Sequence, residues 1–132
     1  MKKFFVGVKG IIRDERGVLL LKRDLKDQNF YDIPGGRIDD TELFEDTLRR
    51  ELSEELPGTK LVKINKLAGT TRVMRDIAEN TGLVLIYFLV EAELPEKIVL
   101  SEEHSSYVWV KTVEDIPDAV NEEVKRIITE IL

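Results

Sequence analysis

Glu51, Glu54 and Glu55 stand at i, i+3 and i+4 in the run Arg50-Glu51-Leu52-Ser53-Glu54-Glu55, downstream of the Gly35-Gly36 pair. On an α-helix those spacings put the carboxylates on one face, within an arc of about 100°. Like charges that close repel, so the helix gains nothing from them by itself. A hard divalent cation turns the repulsion into coordination, because Mg²⁺ and Mn²⁺ select oxygen ligands. Glu51 and Glu55 also border the apolar side of the helix, where an unpaired anion is costly to desolvate. A bound cation meets that need, and Arg50 is placed to orient one carboxylate by a bidentate contact. The bland alternative is a charged helix with i, i+4 pairs. Gly36, Glu42 and Arg50 at fixed offsets from the acids weigh against it.

These residues need a loop and a helix to hold them. Pro34-Gly35-Gly36 is a break after which backbone can approach a ligand closely. Thr41 to Leu56 reads as a helix, with Asp39, Asp40 and Thr41 as N-cap candidates and Asp39 with Glu42 as a capping box. Phe44, Leu48, Leu52 and Leu56 form its apolar stripe, and Pro57-Gly58 stop it.

Upstream, Phe4 to Arg13 reads as a strand, Asp14 to Gly17 as a turn and Val18 to Leu21 as a second strand ending at Lys22-Arg23. Asp24 to Tyr31 is polar and loop-like. Downstream, Lys60 to Met74 reads as one or two strands. Leu83 to Val90 reads as a strand buried on both faces, and Ser105 to Lys111 as a short strand. Val120, Val124, Ile127, Ile128 and Ile131 mark an amphipathic C-terminal helix. This order predicts an α/β fold, an α/β/α sandwich with a mixed β-sheet.

The chain has 132 residues, 42% hydrophobic and 35% charged, which suits one domain over residues 1–132. A net charge of -6 argues against a nucleic-acid or membrane-surface binder, which needs a basic patch. An acidic chain still takes phosphates if a metal ion supplies the positive charge. There is no cysteine, which excludes disulfides, thiolate metal sites and a cysteine nucleophile. Met1 to Val6 has the flavour of a signal peptide, but Lys9 and Arg13 interrupt its apolar core. No apolar run approaches the ~20 residues of a membrane span. The expected setting is the cytoplasm, and the oligomeric state is open between monomer and homodimer.

Gly36-x5-Glu42-x7-Arg50-Glu51-Leu52-x-Glu54-Glu55 resembles the Nudix box, the signature of the Nudix hydrolases, at every charged position. Gly7 to Arg23, Tyr31 to Pro34 and Glu103 to Trp109 also resemble family segments in family order. The resemblance is MutT-like and covers most of the chain. It implies the same α/β/α fold, and hydrolysis of a nucleoside diphosphate linked to a further group with Mg²⁺ or Mn²⁺. It implies Glu51, Glu54 and Glu55 as metal ligands, joined by the Gly35 carbonyl. Arg50 matches the arginine that holds the catalytic glutamate, and Glu42 a glutamate that supports the helix and bound water. The family pattern has one residue and then Gly after the last Glu. Here Leu56-Pro57 precede Gly58, which alters the helix exit and leaves the upstream ligands in place.

Diphosphate hydrolysis rests on positioning and charge neutralisation, with a carboxylate taking the proton of a metal-acidified water. Glu51 is the first candidate for that base. Glu103, which resembles the family's distal carboxylate and a further metal ligand, is the alternative, with Glu102 its substitute. His104, the lone histidine, either contacts phosphate, shuttles a proton or is structural. Arg23, Arg72 and Arg75 are candidate phosphate or base contacts, or surface arginines. Asn121 resembles the asparagine that reads a purine edge in MutT-like enzymes. It is equally a good N-cap before Glu122-Glu123. Tyr31 and Trp109 either stack on a base or are core and rim aromatics. The small-molecule partner expected is a nucleotide, first a nucleoside triphosphate. ADP-ribose, a nucleotide sugar, a dinucleoside polyphosphate or a silent nucleotide-binding module on the same fold are the alternatives.

Overall fold

The computed structural model of the chain describes residues 1–25 and 28–132. Its elements run β1 (Lys3–Asp14), β2 (Gly17–Leu25), β3 (Gln28–Asp32), β4 (Gly35–Arg37), α1 (Phe44–Glu55), β5 (Lys60–Ala78), β6 (Thr81–Glu93), β7 (Ser106–Val110) and α2 (Glu122–Ile131). The sheet order is β3-β2-β1-β6-β5, with β4 on β1 and β7 on β2. β1 and β6 are parallel, from Lys3 opposite Thr81 to Ile12 opposite Val90. The other pairings are antiparallel, so the sheet is mixed, as the sequence predicts.

Strand alternation builds the two outer layers. Val8, Ile12, Leu19, Leu21 and Val90 face α1 and meet Leu48, Leu52 and Leu56. Ile11, Val18, Leu20, Tyr87 and Leu89 face the other way and meet Val124, Ile127 and Ile128 of α2. Neighbours in sequence such as Ile11 and Ile12 therefore serve opposite cores. Each such aliphatic side chain contributes roughly 1.5–3 kcal/mol by leaving water. The result is the α/β/α sandwich. Among the described residues no helix is long and apolar enough to cross a membrane.

The structure departs from the sequence reading at several ends. Asp24 to Tyr31 is not a loop: β2 continues to Leu25 and pairs with β3, Leu21 opposite Asp32 and Arg23 opposite Phe30. A polar strand at a sheet edge lacks the apolar alternation that marks an inner one. The part of that loop assignment on Lys26 and Asp27 lies outside the described residues.

Helix α1 starts at Phe44, three residues later than expected, so none of Asp39, Asp40 or Thr41 is its N-cap. The Glu42 carboxylate explains the delay. It accepts the Asp39 amide at 3.0 Å and the Thr47 hydroxyl at 3.0 Å, which folds residues 39–42 back over the first turn. Phe44 is 39% exposed, tilted against Phe88 at 5.8 Å between ring centroids, so the buried stripe begins at Leu48. The helix ends at Glu55, one residue before the expected Leu56, and Gly58 takes φ 89° in the turn behind it. β5 is one strand rather than two, interrupted by register shifts at Leu61/Lys63, Ile64/Lys66, Leu67/Gly69 and Val73/Ala78.

Candidate active site

One open cavity of about 1240 Å³ brings together β1, the Gly-Gly strand, α1 and the loop before α2. Its wall carries Lys9, Asp32, Gly35, Gly36, Glu51 and Glu55, and Glu103 lines it from the loop before β7.

The helix presents its acids in graded fashion. At 100° per residue, with Glu51 at zero, Leu48 and Leu52 lie at about 60° and 100°, Glu55 at about 40° and Glu54 at about −60°. Burial follows that order. Glu55 is 6% exposed, the Glu51 side chain 16% and the Glu54 side chain 57%. Glu51 and Glu55 therefore line the cavity. Glu54 lies outside its wall, 3.6 Å from Arg50 Nη1.

Burial and neighbouring charge set the protonation of these acids. Burial first, then the Glu51 and Glu103 charges, push the Glu55 carboxyl up to about 7 against the pull of Lys9 and the Gly35 amide. That amide donates to Glu55 Oε2 at 3.1 Å. Glu51 is likewise held above the ordinary carboxylate value, by burial first and by Glu54 and Glu103, with Arg50 opposing. Gly36 passes so close that a Cβ there would collide with the Glu51 carboxylate. Any larger residue there would push the Glu51 carboxylate from its place beside Arg50.

Arg50 makes its bidentate contact with Glu42, not with a helix acid: Nε and Nη2 each donate to it at 2.8 Å. Its Nη1 donates to Glu51 Oε1 at 2.8 Å. Hydrogen bonds from Arg50, foremost, draw the Glu42 carboxyl down to about 2. Glu42 thus anchors Arg50, and Arg50 fixes Glu51.

The remaining candidates are scattered around the mouth. Arg23 lines the cavity and pairs with Glu103 at 3.4 Å, while its Nη1 donates to Gln28 at 3.1 Å. Arg72 and Arg75 line it from β5, with the Arg72 guanidinium 5.0 Å from the Phe4 ring centroid. Glu102 is exposed and does not line it. His104 is buried beside the mouth, its Nδ1 without a partner among the described residues. Burial first, then the Arg23 charge, keep it below the ordinary histidine value.

Asn121 caps α2, Oδ1 accepting the amides of Glu123 at 2.9 Å and Val124 at 3.4 Å, and it also lines the cavity. Tyr31 lines the cavity too, and its amide donates to the Ala119 carbonyl at 2.9 Å, tying β3 to the loop before α2. Trp109 does not line it; it lies under Arg16, 4.0 Å from the guanidinium.

Sequence reasoning missed the polar floor. Lys9 Nζ donates to Asp32 Oδ2 at 3.0 Å, and Asp32 Oδ1 accepts the Ile33 amide at 2.8 Å. Burial opposes the Lys9 charge, but Asp32 and Glu55 outweigh it and hold the amine above the ordinary lysine value. The available signal was a lysine two residues before Ile11 on the same strand face, in mid-strand where alternation demands an apolar residue.

The donor set fits a hard divalent cation in kind, since all the acids offer oxygen and the two most buried resist ionisation without a counter-charge. Among the described residues no three His, Cys, Asp or Glu side chains are gathered as a finished cage, because Glu54 faces away.

Comparison with known proteins agrees with this architecture. The sequence matches the NUDIX domain over residues 3–131, and the chain belongs to that family. A Haemophilus influenzae protein named 8-oxo-dGTP diphosphatase is 41% identical over 58 residues, 42% of this chain and 43% of that protein. The match therefore spans less than half of that relative's length. The fold is shared with the MutT protein from Methanosarcina mazei, at TM-score 0.78 and 24% identity over 98% of this chain and 93% of that one. It is also shared with a MutT NUDIX hydrolase from Burkholderia pseudomallei, at TM-score 0.80 and 22% identity over 99% and 100% of the two chains. The chain is a MutT-like member of the family in fold.

Proposed function

We propose that this chain is a divalent-cation-dependent pyrophosphohydrolase that cleaves a diphosphate linkage in a nucleoside triphosphate or related nucleotide. The observation that carries the reading is the cavity wall shared by Glu51, Glu55 and Glu103, with Glu55 pushed to about 7 by burial and by its acidic neighbours. Acids so placed call for a cation. The cavity volume exceeds the roughly 300–1,000 Å³ of typical ligand pockets, which suits a nucleotide. The diphosphatase name of the Haemophilus relative supports the same substrate class.

In this reading Glu51, Glu54, Glu55 and Glu103 would hold Mg²⁺ or Mn²⁺ with the Gly35 carbonyl. When bound, the metal neutralises phosphate oxygens and acidifies a water. Glu51 would take the proton of a metal-acidified water, because Arg50 holds its carboxylate and burial raises its basicity. Glu103 is the weaker choice, since it is exposed and paired with Arg23. Arg23 and Arg72 line the same cavity and are the proposed nucleotide contacts. Asn121 uses Oδ1 as a cap, which leaves its Nδ2 as a donor toward a base edge. A cytoplasmic location and a single domain over residues 1–132 belong to the same proposal.

The test is a Mn²⁺ titration followed by a screen of (d)NTPs, nucleotide sugars and dinucleotides with Mg²⁺, reading released phosphate and pyrophosphate. Metal-dependent turnover of a triphosphate is expected. Absence of Mn²⁺ binding, with or without nucleotide, defeats the proposal.

A further inference from the structure

Lys9 is a charged side chain in a place that packing does not explain. It projects from the middle of β1 onto the face that holds Ile11, and its side chain is only 12% exposed. A lysine ammonium has three N–H donors. Asp32 takes one, and among the described residues no other acceptor lies within hydrogen-bond reach. A buried ion pair stabilises little even when every donor is satisfied, and here two are left over. An apolar side chain would serve the core better.

The unused donors lie at the wall of the cavity that also carries Glu51, Glu55 and Glu103. The strand register sets Lys9 opposite Gly35, whose amide holds Glu55. Of the other cations around the cavity, Arg23 is engaged by Gln28 and Glu103, Arg72 by the Phe4 ring and Arg37 by the Phe5 ring, while Arg75 is exposed on β5. Arg50 is not on the cavity wall and is spent on Glu42 and Glu51. Lys9 is thus the buried cation of the floor with donors to spare, and Asp32 aims it.

We propose that Lys9 is a substrate-binding residue whose ammonium donates to a non-bridging phosphate oxygen of the bound diphosphate from the β1 wall, with Asp32 as its positioning partner. The inference rests on the cavity being the phosphate site proposed above. It has a consequence that a purely structural lysine lacks. Lys9 attracts Glu55 electrostatically, so it competes with a metal cation for that carboxylate while it assists the phosphate. Its removal should therefore weaken the phosphate ligand without weakening the metal.

The experiment is calorimetric titration of the full chain with Mn²⁺ alone, and with methylenediphosphonate in saturating Mg²⁺, an inert P–C–P probe. Lys9→Met is expected to weaken the diphosphonate by about tenfold or more, the value of a charge-assisted hydrogen bond. Its Mn²⁺ affinity is expected to stay equal or to tighten. Lys9→Arg should recover most of the diphosphonate affinity. In the wild-type chain the Lys9 ¹⁵Nζ resonance should shift on adding diphosphonate, a readout that needs no variant to fold. Diphosphonate affinity within about twofold of wild type in Lys9→Met, or an unmoved Nζ resonance, overturns the assignment. Parallel loss of Mn²⁺ and diphosphonate binding also overturns it, because Lys9 would then only hold Asp32. A wild-type chain that binds neither probe defeats the phosphate-site reading itself. A wild-type chain that binds both, with Lys9 variants unchanged, defeats only the role of Lys9.

Discussion

Glu55→Gln in the chelated, metal-free chain separates a carboxylate strained by burial from an ordinary helix acid. Folding moves this group from its ordinary 4.5 to about 7. A folded-state value above the unfolded one means that the native state favours the protonated form. The associated stability is present in full below about 4.5 and is lost as pH rises through about 7. At about 1.4 kcal/mol per pH unit, the gap amounts to about 3 kcal/mol between pH 4.5 and pH 8. Glu51 is raised as well and adds a loss of the same sign. Glu42 works in a separate window: its depressed value gives stability that is present above 4.5 and lost as pH falls through about 2. Urea unfolding in EDTA at several pH values reads the effect, as a midpoint shift of roughly 1–3 M. The glutamine keeps an oxygen for the Gly35 amide, so the variant should match wild type near pH 4.5 and exceed it at pH 8, with a much flatter slope. Saturating Mn²⁺ should recover the wild-type loss and do less for the variant. A chelated wild type whose stability does not fall between pH 5 and 8, or a variant less stable than wild type at pH 8, would refute the burial argument.

Three further outcomes follow from the same geometry. Glu54→Gln should abolish turnover while changing stability by less than about 0.5 kcal/mol, since the side chain is 57% exposed; unchanged kcat removes Glu54 from the metal set. Gly36→Ala drives a Cβ into the Glu51 carboxylate and should weaken Mn²⁺ binding and turnover together with the chain still folded; wild-type Mn²⁺ affinity contradicts the packing. Asn121→Ala removes the acceptor of two amides and should cost about 1 kcal/mol in thermal or urea unfolding. If Nδ2 also reads a base, KM for purine nucleotides rises relative to pyrimidine ones, whereas a pure cap leaves that ratio untouched.

Much of the scaffold of the candidate site was legible because its signals are local. The spacing of Glu51, Glu54 and Glu55 on one helix, the Gly35-Gly36 break and the cap at Asn121 all depend on neighbours within a few residues, where helix geometry and glycine sterics act. The apolar stripe from Leu48 to Leu56 and the run from Leu83 to Val90 were legible for the same reason. The β2–β3 hairpin was not, since an edge strand with polar residues is defined by its partner and not by its own pattern. The late start of α1 escaped because the Glu42 carboxylate is shared among the Asp39 amide, the Thr47 hydroxyl and Arg50, the last eight positions on.

From its residues alone this chain declared an oxygen-rich helix face, a glycine loop beside it and strands alternating between two cores. Those are properties of periodicity, which a chain carries wherever it is placed. The depth of each acid was decided only when α1 lay down on β1, for a rotation of about 60° separates a carboxylate in the wall from one in water. The pairing of Lys9 with Asp32 and of Arg23 with Glu103 was likewise decided by strand register and loop placement, 23 and 80 positions apart. Burial and charge at such distances are properties of packing, because desolvation depends on what surrounds a group and not on what precedes it.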